Sequence, residues 1–152
     1  MKELSNDLLR AIDLGELALQ KITDAESCEP VLRGGWSRKQ VIGHLIDSAS
    51  NNHQRFVRAS LQNTLEFPAY DQDGCVRVQA VQEANWQQLL SLWLAYNRYL
   101  AHVIGHLPPN KLEVLCCIGT AEPVTLRFLA TDYLAHLLHH LRQIGAADTP
   151  QA

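Results

Sequence analysis

Apolar residues recur at helical spacing in four stretches of this chain, with polar connections between them. In the first, from about residue 3 to 23, Leu4, Leu8, Leu9, Ile12, Leu17, Leu19 and Ile22 form one stripe. Such spacing predicts a helix with one buried face, weakened in the middle by Gly15. Ala25 to Trp36 is a connection carrying Pro30 and Gly34-Gly35. The second stretch starts sharply. Ser37-Arg-Lys-Gln40 has the form of a capping box, with Ser37 as N-cap and Gln40 three residues on. This helix runs to about Leu61, and Val41, Ile42, Leu45, Ile46, Ala49, Phe56 and Val57 make its core arc. His44, Ser48, Asn51 and Arg55 form a separate polar stripe beside that arc, which predicts a helix lining a cleft at the edge of a bundle.

Asn63 to about Arg77 is a longer connection containing Phe67-Pro-Ala-Tyr-Asp-Gln-Asp-Gly74, with room for a helical turn after it. Asn85-Trp-Gln-Gln88 is a second capping signal. Leu89, Leu90, Trp93, Leu94, Leu100, Ile104 and Leu107 then give an apolar face to about His106, and Pro108-Pro109 ends it. Lys111 to Pro123 is apolar but interrupted by Gly119, so it forms a small hairpin or a packed loop. Thr125 caps a fourth helix running to about Gly145, where Gly145-Ala-Ala-Asp is a C-terminal stop. Four amphipathic helices predict an all-α four-helix bundle.

A chain of 152 residues, 47% of them hydrophobic, suits one domain with a sizeable core, here residues 1–152. The net charge of −3 and the lack of any basic run argue against nucleic acid as a partner. No apolar signal-peptide core opens the sequence, and no uncharged run approaches the roughly 20 residues of a membrane span. The expectation is a soluble cytoplasmic protein. Cys28, Cys75, Cys116 and Cys117 include no CxxC pair, so a cysteine cage for zinc is not indicated. The adjacent pair Cys116-Cys117 reads as small apolar residues near a turn.

Seven histidines are the remaining chemistry. On the fourth helix, Leu126, Leu129, Tyr133, Leu137, Leu141 and Ile144 define the core arc. His140 falls within it and His136 at its edge, about 40° apart around the helix, while His139 lies outside. Two imidazoles one turn apart can grip a single ion, although His139-His140 equally suits a surface pair. His102 and His106 point away from the apolar face of their helix and are expected in solvent. His53 lies nearer the core arc and is expected to be a hydrogen-bonded core residue. There is no HExxH motif. A third ligand, if there is one, must come from another helix, and His44 is the candidate. Asp132, one turn before His136, suits either a partner for the second ring nitrogen of His136 or His139 or a simple first-turn acid. Periodicity alone therefore gives a candidate metal-binding helical bundle.

The chain resembles the DinB/YfiT-like superfamily of metal-binding four-helix bundles. The likeness is carried by Trp36-Ser37 followed by Val41-Ile-Gly-His-Leu-Ile-Asp47, by Tyr70-Asp-Gln-Asp73, and by Thr125-Leu through Tyr133-Leu-Ala-His-Leu-Leu-His-His-Leu-Arg-Gln-Ile144. The resemblance implies an up-down-down-up bundle with a long crossover between helices two and three. It implies a metal triad falling on His44, His136 and His140, with zinc or nickel as the ion. It also implies a small-molecule substrate and a homodimer. Members include thiol-dependent S-transferases, a mycothiol-dependent isomerase and proteins known only as metal-dependent hydrolases. Thiol-dependent S-transfer with a small thiol cofactor is the first expectation from this likeness. A metal-dependent hydrolase, or a non-catalytic dimer stabilised by its metal, is the alternative. On the thiol reading Asn51, Arg55, Tyr70, Asp71 and Asp73 would contact the cofactor, and Tyr133 and Gln143 would line the site. Where the family often has tryptophan after the loop glycine, this chain has Cys75.

Overall fold

A computed structural model of the chain describes residues 1–32 and 35–146. Gly34 of the first connection, and Ala147 and Asp148 of the C-terminal stop, lie outside the described residues. Four long helices dominate: α1 (Lys2–Leu19), α3 (Arg38–Leu61), α5 (Trp86–Gly105) and α6 (Leu126–Gln143). Short helices α2 (Asp24–Ser27) and α4 (Gln72–Val78) sit in the connections, as do strands β1 (Thr64–Phe67), β2 (Leu115–Ile118) and β3 (Val124–Thr125).

The helix starts follow their capping chemistry. Ser37 Oγ accepts from Gln40 N at 3.1 Å, while Gln40 Oε1 accepts from Ser37 N at 2.9 Å. This reciprocal pair satisfies two amide donors that no helical carbonyl can reach. Asn85 and Thr125 each accept from the amide three residues on. The first helix stops at Leu19, earlier than its apolar stripe suggests, because Thr23 and Glu26 form a second capping box that starts α2. At the end of α6, Gly145 takes φ +72°, and Ala146 N donates to Leu141 O at 2.8 Å. That is the left-handed stop for which glycine is suited.

The four long helices pack around one core, α1 against α5 and α6, and α3 against the same two. Leu8, Ile12, Ile42, Leu45, Phe56, Trp93, Leu100, Ile104, Leu137 and Leu141 are among its most deeply buried members. Each such side chain contributes roughly 1.5–3 kcal/mol by leaving water. Gly15 is where α1 approaches most closely: a Cβ there would meet Trp93 at 3.1 Å and Leu141 at 3.2 Å. The residue that weakens the helix locally thus permits its packing. Ser5 Oγ, at the start of α1, donates to Ala101 O near the end of α5. Arg98 reaches Asp13 and Glu16. Lys111, just after α5, donates to Gln62 O just after α3.

The all-α expectation needs correction, because a three-stranded sheet caps one end of the bundle. β1 pairs with β2 in parallel, from Thr64 opposite Leu115 to Phe67 opposite Ile118, and β2 pairs with β3 in antiparallel. Cys116 and Cys117 lie within a short strand that ends at the turn Gly119-Thr120, as expected of small residues near a turn, with Cys116 facing the core. The connection between α3 and α5 is fixed at its far end too. Gln79 Nε2 donates to both carboxylate oxygens of Asp47, and Val81 packs so tightly on α3 that a Cβ at Gly43 would lie 2.6 Å from it. No helix among the described residues is long and apolar enough to cross a membrane.

Candidate metal centre

His44 sits on the flank of α3 next to the core residues Val41, Ile42 and Leu45, and its ring is fully buried. It faces α6, where His136 and His140 lie one turn apart, both half-buried. The Nε2 atom of His136 is 3.2 Å from Nε2 of His44 and 3.2 Å from Nε2 of His140. One ligand atom from each ring lies within 4.8 Å of the others. A tetrahedral ion with nitrogen ligands at about 2.0–2.1 Å holds them about 3.3 Å apart, so the arrangement suits such an ion. Without one, lone pairs crowd together that too few protons are present to bridge.

Burial first, then the rings of His140 and His136, lowers the pKa of His44 to about 4. Burial first, then His140 and His139, lowers that of His136 to about 4. Burial also lowers the pKa of His140, opposed by its bond to Gln143 and aided by His139. All three are neutral at pH 7, the form in which imidazole binds metal.

The outer nitrogens differ. Nδ1 of His140 donates to Gln143 Oε1 at 2.9 Å, which leaves Nε2 free to ligate. Nδ1 of His136 lies 3.4 Å from Ser48 Oγ. Nδ1 of His44 is buried without a hydrogen-bond partner among the described residues, and the His44 ring lies tilted against that of Trp36, with centroids 5.1 Å apart.

Beside the histidines opens a cavity of about 330 Å³, walled by α3, α6, the residues after β1 and the end of β2. Its polar lining includes Ser48, Asn52, Arg55, Tyr70, Asp132 and His136. Asn52 Nδ2 donates to Ser48 O at 3.0 Å, and Arg55 Nη1 donates to Asn52 Oδ1 at 3.4 Å. A polar ladder along α3 therefore leads from Arg55 back to His136. Burial first, then Asp47, pushes the pKa of Tyr70 up to about 12, with Arg55 opposing, so it stays a phenol.

The other expected residues are distributed unevenly. Asn51 is not part of the cavity lining, and its amide donates to Asp47 O on its own helix. Asp71 is the N-cap of α4, accepting from Gly74 N at 2.9 Å, and Asp73 lines a different hollow with Trp36 and Arg77. Asp132 lines the cavity but bonds neither His136 nor His139 among the described residues. Tyr133 also lines it, yet its hydroxyl donates to the buried Asn97. His102, His106 and His139 are exposed. His53 is half-buried rather than in the core, with Nδ1 3.2 Å from the hydroxyl of Tyr96. Asn52, next to the expected Asn51, was not indicated by the sequence, because it lies about 80° around the helix from His44, outside the polar stripe.

Residues 8–144 match the model of the DinB superfamily. The chain belongs to the DinB superfamily. Among curated relatives, a Bacillus pumilus protein named "Putative metal-dependent hydrolase" is 26% identical over 129 residues, covering 85% of this chain and 74% of that protein. The Bacillus subtilis "Putative metal-dependent hydrolase YfiT" is 27% identical over 137 residues, covering 84% of this chain and 72% of its own length. The solved structure of YfiT, described as "a probable metal-dependent hydrolase with an unusual four-helix bundle topology", superposes with a TM-score of 0.83 at 24% identity. It spans 94% of this chain and 82% of that one, a likeness of fold. None of these three names mentions thiol transfer.

Proposed function

We propose that this DinB-superfamily protein is a metal-dependent hydrolase holding a divalent ion, zinc by its ligand chemistry, on Nε2 of His44, His136 and His140. The observation that carries this reading is the convergence of three neutral imidazole nitrogens at ligand spacing on the wall of a cavity. The hydrolase names of the relatives agree with it. When bound by three histidines, such an ion keeps an open position, acidifies water towards a pKa of about 7 and polarises a carbonyl.

The chain supplies the rest. Burial keeps the three rings unprotonated, and Gln143 fixes the tautomer of His140. Tyr70 retains its proton as a donor towards the substrate. Asp132, the carboxylate in the cavity lining, is assigned as acceptor of the proton from the attacking water. We also read the bundle as up-down-down-up. The Ser5–Ala101 and Lys111–Gln62 contacts, and the start of α6 at the sheet end, support this.

Metal analysis of the purified protein tests the site, and ester and amide turnover with and without a small thiol tests the reaction. The expected result is bound metal and hydrolysis that needs no thiol. His44→Ala, His136→Ala and His140→Ala should each lose the ion, while His102→Ala keeps it. A protein that binds no divalent metal, or that turns over only with thiol, overturns the proposal.

A further inference from the structure

The cavity beside the histidines has a polarity that metal binding does not use. Arg55 is the cation of its lining and Asp132 the carboxylate. Arg98, Arg127 and Arg10 all pair with acids. Arg55 is half-buried and forms no ion pair among the described residues. Its Nε is buried without a partner, and its hydrogen bond to Asn52 spans 3.4 Å. The guanidinium carbon lies 5.4 Å from the centroid of the Phe67 ring. Asn52 and Phe67 thus hold the guanidinium in place without neutralising it, and a half-buried charge left so is better satisfied once an anion arrives.

We propose that this cavity binds a small ester or amide bearing a single carboxylate, with Arg55 gripping the carboxylate and the scissile bond lying towards His136. The argument for a monoanion is charge. One guanidinium balances one negative charge, so a phosphate dianion on Arg55 would leave its second charge unbalanced in a lining that also holds the Asp132 carboxylate. A planar guanidinium fork also matches a carboxylate's two oxygens. Arg55 stands seven residues beyond Ser48, which touches His136, and that is about 10 Å along a helix. The carboxylate and the reacting carbonyl are therefore well separated. Ile118 and Leu129 offer apolar wall for the part between. The volume, about 330 Å³, equals that of about eleven liquid waters, which limits the substrate to metabolite size.

The reaction in this proposal rests on the hydrolase reading, whereas the binding rests on Arg55. The test measures affinity of zinc-loaded protein for benzoate and benzamide by calorimetry, with the metal content of every sample determined. Benzoate should bind more tightly than benzamide. Arg55→Gln should weaken benzoate roughly 10- to 100-fold, as expected when a charged hydrogen bond is lost, with benzamide affinity and metal content unchanged. Arg55→Lys should recover part of the loss. Equal binding of the two probes, benzoate affinity indifferent to Arg55→Gln, or no binding of any short monocarboxylate at millimolar concentration overturns the proposal. Metal content separates the two ideas. Wild-type protein that lacks metal yet binds benzoate through Arg55 sinks the hydrolase reading alone. Metal-loaded protein indifferent to Arg55 sinks this one alone.

Discussion

Replacing Gln143 by methionine exchanges its carboxamide, and with it one acceptor oxygen, for a thioether and leaves the volume nearly unchanged. That oxygen accepts the Nδ1 proton of His140 at 2.9 Å, which orients the ring and keeps Nε2 free for the ion. Partners of this kind are worth roughly 10- to 100-fold in metal affinity, or about 1.4–2.8 kcal/mol. Gln143→Met should therefore weaken zinc binding within that range. Ser48→Ala should have a smaller effect, because Ser48 Oγ stands 3.4 Å from Nδ1 of His136 and holds it loosely. Asp132→Asn should leave affinity unchanged, since its carboxylate bonds no histidine among the described residues. Competition against a chromophoric zinc chelator measures all three. Gln143→Met binding as tightly as the parent, or Asp132→Asn losing the most, would refute the assignment of outer partners.

Acid should destabilise the metal-free protein over a defined window. Unfolded histidine protonates near pH 6.5, whereas burial holds His44 and His136 down at about 4. Between these values the unfolded chain binds more protons, so stability is lost as pH falls from about 6.5 to about 4 and should be level just above. Denaturant titrations across that range should show the slope in the parent and a reduced slope in His44→Ala. Gly43→Ala should destabilise by up to about 2 kcal/mol. Overpacking against Val81 costs about 1–3 kcal/mol, and the better helix propensity of alanine returns about 1; a rise in melting temperature would count against this. Asp24→Asn should lower the melting temperature with zinc affinity intact, because it strips the buried Lys39 ammonium of its partner at 3.1 Å.

The sequence announced the long helices because their evidence is local. Ser37 with Gln40, Asn85, Thr125 and Gly145 each act within one turn of the chain. The stripe that set His44 beside the core, and the one-turn spacing of His136 and His140, were equally visible. The sheet was not. Four residues at Thr64–Phe67 and four at Leu115–Ile118 are too short to show a period, and their parallel pairing joins segments about fifty residues apart. The same limit explains the uneven outcome among the cavity residues. Helical angle placed Arg55 and His44 on one face, but α4 determines that Asp71 caps a helix and that Asp73 looks elsewhere. Neither follows from the composition of the Tyr70–Asp73 loop.

The short run from Ala69 to Gln72 forms one side of the cavity and is tethered at both ends: Gly119 N donates to Phe67 O before it, and Asp71 holds Gly74 N within it and beyond. So anchored, it is poorly suited to swing open as a flap, and molecules should come and go through a standing mouth. It also contributes nothing to the three rings. Substitutions in this run should reshape the lodging without disturbing the grip, so that selectivity and ion affinity vary independently, like interchangeable jaws on one handle.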